Sequence, residues 1–144
     1  MTHTADRTTL RNNLLDVQLR ALLVGQKITK ANNNTLTLQN GLTLELYESA
    51  ADCCARAEGQ WEILNPNNLE AAITNINYQH ATTEDYGCTT NTLTITLLHN
   101  QNPIAQANCA ADDGNGGYYF SVLNIRAKFP DEWTNVADFK VIEA

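Results

Sequence analysis

Residues 25–49, GQKITKANNNTLTLQNGLTLELYES, alternate apolar and polar side chains with two interruptions. Ile28, then Leu36 and Leu38, then Leu42, Leu44 and Leu46 are separated by Thr, Gln and Glu, which is the period of two that a strand with one buried face requires. Asn32-Asn33-Asn34 and Asn40-Gly41 fall between the runs, and Asn-Gly between alternating segments is a strong two-residue hairpin signal. The stretch predicts three antiparallel strands at about 26–31, 34–39 and 42–48.

Upstream the period changes. Leu10, Leu14, Leu15, Leu19, Leu22 and Leu23 recur near helical spacing, with Thr8 or Thr9 as N-cap and Gly25 as the stop, so an amphipathic helix is expected from about 9 to 23. Downstream, ESAADCCARAEGQ breaks the alternation and reads as a loop or one short helical turn, followed by a strand through Trp61, Ile63 and Leu64. Ile73, Ile76 and Tyr78 mark a further extended run, and Leu93, Ile95 and Leu97 another. The polar segment from Thr82 to Thr90, with Gly87 in it, is expected to be an exposed loop. PIAQANCA then reads as a strand, and the Gly-rich Asp112 to Gly117 as the turn of a second hairpin leading into a strand from Tyr118 to Lys128. After a break at Pro130, Trp133, Val136, Phe139 and Val141 point to a short helix and a last strand.

A chain of 144 residues can bury one core of its own, and no repeat or low-complexity linker divides it. The expectation is a mainly β (α+β) fold in a single domain, 1–144: a twisted antiparallel sheet forming a roll or open barrel, covered by one N-terminal amphipathic helix. With 43% hydrophobic and 17% charged residues the composition is that of a globular chain rather than a disordered one. The net charge is −7, and the nine Lys and Arg residues are scattered, so direct contact with nucleic acid is disfavoured. The opening MTHTADRTTLRNN has no basic segment followed by an apolar run, and no stretch approaches a membrane span. The protein is therefore expected in the cytoplasm, without membrane contact, with its cysteines reduced.

Those four cysteines, Cys53, Cys54, Cys88 and Cys109, offer the first candidate chemistry. A structural zinc would need all four thiolates, yet their spacing lacks C-x-x-C knuckles, so buried or semi-buried thiols are the preferred reading and no cofactor is expected. A cysteine nucleophile would need His80 or His99 beside it to form the thiolate. Asp112-Asp113-Gly114-Asn115-Gly116-Gly117 lacks the alternating oxygens and distal Glu of a calcium loop and is read as a tight turn. Tyr118, Tyr119 and Phe120 follow it, and three successive rings on a strand cannot all enter one core, so at least one is expected to face outward.

The series GQKITKANNNTLTLQNGLTLELYESAADCCARAEGQW and, later, PIAQANCAADDGNGGYYFSVLNI resembles a family of small uncharacterised proteins, a domain of unknown function, found in actinobacteria and their phages. The likeness spans about residues 24 to 126, leaving out the N-terminal helix and the tail after Lys128. Its matching marks are Asn40-Gly41, Asp52-Cys53-Cys54 and the stretch from Gly114 to Tyr119. The resemblance implies an actinobacterial or prophage context and brings no known activity.

Two irregular, side-chain-rich loops on a regular sheet, with no complete catalytic set, point to a non-enzymatic binding or protein-interaction domain. Asp52, Cys53, Cys54, Asn115, Tyr118 and Tyr119 are its expected binding residues, toward a protein partner or a small ligand. One alternative is a thiol or metal-dependent enzyme centred on the Cys53-Cys54 loop. Another is an acidic mimic that blocks a nucleic-acid-binding partner. An apolar edge strand or the helix could each serve a dimer, which leaves the oligomeric state open.

Overall fold

The computed structural model describes residues 14–114 and 118–144. Among the described residues the chain is mainly β, with one α-helix (α1, 14–23), in two antiparallel sheets that do not close into a barrel. Strands β1 (Ile28–Asn32), β2 (Thr35–Leu38), β3 (Thr43–Ala51), β8 (Ser121–Lys128) and β9 (Ala137–Glu143) form the first sheet in that order. Strands β4 (Ala57–Ile63), β7 (Asn102–Asp112), β6 (Cys88–His99) and β5 (Asn75–Asp85) form the second in that order. The single rolled sheet expected from the sequence is thus two sheets facing each other.

The core lies between them. Leu36, Leu38, Leu44 and Leu46 from β2 and β3, with Leu123 and Ile125 from β8, meet Leu93, Ile95 and Leu97 of β6, and all are nearly without solvent exposure. Their counterparts on β7 are small, Ala105, Ala107, Cys109 and Ala111, so large side chains of one layer fill the space left by small ones of the other. Each buried leucine contributes about 2 kcal/mol. The surface ion pairs Arg20–Asp16 and Lys140–Glu143 contribute less than about 1 kcal/mol apiece, so apolar packing decides the fold. Trp61 crosses the layers and donates its indole N–H to the Leu44 carbonyl at 3.2 Å.

The three strands expected between 26 and 48 are present as β1, β2 and β3, and β3 continues to Ala51 through an irregularity between Glu48 and Ala50. Between β2 and β3 the loop is longer than the two residues expected: Leu38 bonds Leu42 across Gln39-Asn40-Gly41. On α1, Leu15, Leu19 and Leu23 are buried one turn apart, whereas Leu14 is 73% exposed. The expected start of the helix, with Leu10 and its Thr cap, lies outside the described residues. Among the described residues no helix is long and apolar enough to cross a membrane.

Three expectations are corrected. Thr82 to Thr90 is not a loop but a hairpin arm, in which β5 and β6 pair as far as Asp85 and Cys88 around the turn Tyr86-Gly87. Both turn residues have positive φ, +52° and +79°, as a two-residue hairpin turn matching the twist of its strands demands. Residues 82–87 are exposed, so neither face of the arm carries an apolar alternation that would mark it as strand, while its threonines favour the extended backbone. Asp112 to Gly117 is likewise not a hairpin turn, because β7 and β8 belong to different sheets, and the strand expected from Tyr118 begins at Ser121. Finally, the tail has no helix before β9: Trp133 and Val136 are 100% and 54% exposed, so their helix-like spacing faces no core.

Candidate functional site

The chain passes from one sheet to the other twice at one end of the molecule. It leaves β3 at Ala51 and enters β4 at Ala57, then leaves β7 at Asp112 and enters β8 at Ser121. Since β3 pairs with β8 and β4 with β7, with Ala51 opposite Ser121 and Ala57 opposite Ala111, the two crossings run side by side. Both loops singled out in the sequence are these crossings.

Backbone and side-chain hydrogen bonds tie them together. The Asp52 amide donates to the Phe120 carbonyl at 2.9 Å, and the Asp112 amide donates to the Arg56 carbonyl at 2.9 Å. Asp112 Oδ1 accepts from the amides of Arg56 and Gly114, each at 3.0 Å. Ser121, fully buried, places its hydroxyl oxygen 2.6 Å from the Asp112 carbonyl oxygen and 2.9 Å from that of Arg56, and its single proton satisfies one of them at a time. Asp113 exchanges two bonds with Thr89, accepting from its amide at 2.8 Å and donating to its carbonyl at 3.0 Å, which fastens the second crossing to the start of β6.

On this frame sits a β-turn from Asp52 to Ala55, closed by the Ala55 amide on the Asp52 carbonyl at 3.1 Å. Its third residue, Cys54, has φ +75°, where glycine or asparagine is normal. Cys53 and Cys54 are both exposed, with their sulfur atoms 3.2 Å apart. Cys53 pushes the Cys54 thiol up, chiefly by hydrogen bonding to it and also by charge repulsion. Gly114 closes over the turn so tightly that a Cβ there would lie 2.9 Å from the Cys54 carbonyl oxygen and 3.0 Å from Tyr119 Cδ2. Tyr118 is 86% exposed and Phe120 45% exposed, and Tyr119 is half-buried.

Asp52, Cys53, Cys54, Tyr118 and Tyr119 therefore belong to one joint, and Asn115 lies outside the described residues. The four cysteines occupy different surroundings. Against the expectation of buried or semi-buried thiols, Cys53 and Cys54 are exposed, because the turn that holds them lies beyond the ends of both sheets. Cys88 is half-buried, and desolvation together with the carboxylates of Asp112 and Asp113 pushes its thiol up. Cys109 is in the core, where burial pushes its thiol up to about 12. Among the described residues, no three His, Cys, Asp or Glu side chains gather into a group able to hold a metal ion.

The two described histidines, His80 and His99, lie elsewhere. His99 Nδ1 is 2.7 Å from the Ala72 carbonyl oxygen, at the opposite end of the twelve-residue β6 from Cys88. At about 3.3 Å per residue that is roughly 36 Å away. His80 pairs across β5 and β6 with Leu93, roughly 16 Å along the sheet from Cys88. There it lines a cavity of about 270 Å³ with Leu14, Leu15, Leu93, Val141 and Ile142, where α1 meets the edges of both sheets. Sequence reasoning missed that cavity, whose walls come from three distant segments, and it missed Ser121 and Asp112 as the residues that lock the joint. A serine opening an otherwise alternating apolar strand was the available signal for Ser121.

No curated protein and no solved structure matches the chain. Residues 21–124, which take in β1 to β7, both sheet crossings and the first half of β8, match the model of a family described as a domain of unknown function, DUF7448, and the chain belongs to that family.

Proposed function

We propose that this chain is a non-enzymatic binding domain whose recognition surface is the double crossing: the Cys53-Cys54 turn together with Tyr118, Tyr119 and Phe120. The observation that carries the reading is the pairing of a rigid frame with exposed rings. Buried Ser121 and the twice-bonded Asp112 carboxylate tie the two crossings together through Arg56 and Gly114, and beside them Tyr118 and Phe120 stand in solvent. A binding loop held by a fixed scaffold loses little entropy on association, and aromatic side chains at such positions supply much of the energy of protein interfaces.

The occupant is a protein surface rather than a nucleic acid, since the net charge is −7 and the exposed side chains here are mostly aromatic, thiol and acidic, with Arg56 standing without a basic cluster around it. The actinobacterial or phage context implied by the sequence resemblance belongs to this proposal.

A photoreactive amino acid placed at position 118, with position 86 at the exposed β5–β6 turn as control, tests it in cells of native origin. A discrete protein adduct at 118 and none at 86 is the expected result. Adducts at both positions alike, or at neither, overturn the proposal. With the partner in hand, Tyr118→Ala weakens binding about tenfold or more.

A further inference from the structure

Adjacent residues on a strand point to opposite faces, so neighbouring cysteines do not ordinarily meet. Here they do. The turn from Asp52 to Ala55 brings the sulfur atoms of Cys53 and Cys54 to 3.2 Å, both open to solvent, and it does so with Cys54 at φ +75°. Holding a residue other than glycine in that region costs about 1 kcal/mol, and nothing in the packing of this exposed side chain offsets it. The same strained turn that joins the two sheets therefore also holds the two thiols together.

We infer that Cys53 and Cys54 are a dithiol redox pair that closes into a disulfide between sequence neighbours on meeting a low-molecular-weight disulfide. In the first step the thiolate of one cysteine attacks the small disulfide, forming a mixed disulfide and releasing one small thiolate. In the second, the neighbouring thiolate attacks the protein-side sulfur and expels the other small thiolate. The protein loses two hydrogens and two electrons, and the small disulfide takes up both and becomes two thiols.

Geometry favours the second step, because the sulfur atoms have only about 1.2 Å to close to bonding distance. Trans-linked neighbours have Cα atoms about 3.8 Å apart, closer than the usual disulfide span, so the ring is strained and easily reduced. A strained, exposed disulfide is a labile, regulatory one.

The other thiols do not compete. Cys109 is buried and Cys88 faces the carboxylates of Asp112 and Asp113. Closure also has somewhere to register, because the Cys54 carbonyl abuts Gly114, which Tyr119 in turn covers.

The test needs no partner, so it stands or falls apart from the recognition surface. The full chain, reduced and freed of reductant, is incubated with excess oxidised glutathione at mildly alkaline pH, alkylated, and read by intact mass and peptide mapping. Wild type is expected to lose two hydrogens in the peptide holding Cys53 and Cys54, with full reversal by dithiothreitol. Cys53→Ser and Cys54→Ser, checked for wild-type circular dichroism, each stop at a glutathione adduct on the remaining cysteine, at a level roughly tenfold or more above that of wild type. A lasting adduct on wild-type Cys53 or Cys54, a bond from either to Cys88, or both thiols still free for alkylation overturns the inference.

Discussion

At the scale of single residues, two positions on one contact pull stability in opposite directions. Gly114 has φ +74°, and an added methyl would press on the Cys54 carbonyl, a backbone atom that cannot swing aside. Gly114→Ala is therefore expected to cost about 2 kcal/mol, from the left-handed backbone and the collision together, read as a lower urea midpoint at unchanged slope. Across the same contact, Cys54→Gly relieves a positive φ and fills no core space, and it is expected to raise stability by about 1 kcal/mol while abolishing the thiol pair. A loss on Cys54→Gly would show that the side chain supports the fold and would remove the strain argument. The adjacency of the two cysteines was plain in the sequence; the backbone angle was not. Asp-Cys-Cys-Ala holds no glycine or asparagine to mark a positive φ, and it is the hydrogen bond from Ala55 to Asp52 that imposes the turn.

At the scale of elements, α1 is fastened to β5 by a small polar cluster. Tyr78 donates its hydroxyl to Asp16 Oδ1 at 2.8 Å, and Arg20 donates to Asp16 Oδ2 at 2.8 Å and to Asn75 Oδ1 at 2.6 Å. Burial first, then the hydrogen bond and charge of Asp16, push the Tyr78 hydroxyl well above the usual tyrosine value. Its raised value means that the stabilisation is complete below the unfolded value of about 10 and is lost as pH climbs beyond it, because the unfolded chain ionises while the folded one resists. Tyr78→Phe is expected to cost about 1 kcal/mol at neutral pH and to flatten the fall in stability above pH ~10, measured by urea unfolding across that range. An identical alkaline slope in the variant would remove Tyr78 from the account. Element-level legibility followed burial: β2 and β3, with one face in the core, were evident from their leucines, whereas the exposed outer half of β5 has no inner face and no period to detect.

At the scale of the whole molecule, the mainly β class was written in the alternation, but the division into two sheets was not. A turn sequence says that the chain reverses or bends, not which sheet it joins next. Asp112 to Ser121 leads to β3 and β9 because their leucines and isoleucines make the other wall of the core, a long-range fact. The distance between the walls has its own residue. At Gly59 on β4 a Cβ would lie 3.0 Å from Leu123 Cδ2, 3.0 Å from Leu46 Cδ1 and 3.2 Å from Leu46 Cβ, so the second sheet approaches the first where a side chain is missing. Gly59→Ala reduces the entropy of the unfolded chain, a gain of about 0.5–1 kcal/mol, but it overfills a packed interface, which costs about 1–3 kcal/mol. The net expectation is a loss of about 1–2 kcal/mol. Leu123→Ala alone is expected to lose about 2–5 kcal/mol by leaving a cavity. In the double variant the new methyl enters space vacated by Leu123, so the combined loss should fall short of the sum by about 0.5 kcal/mol or more. Additive losses would mean that the sheets move apart to admit the methyl instead of being held at this spacing by the leucines on either side of Gly59.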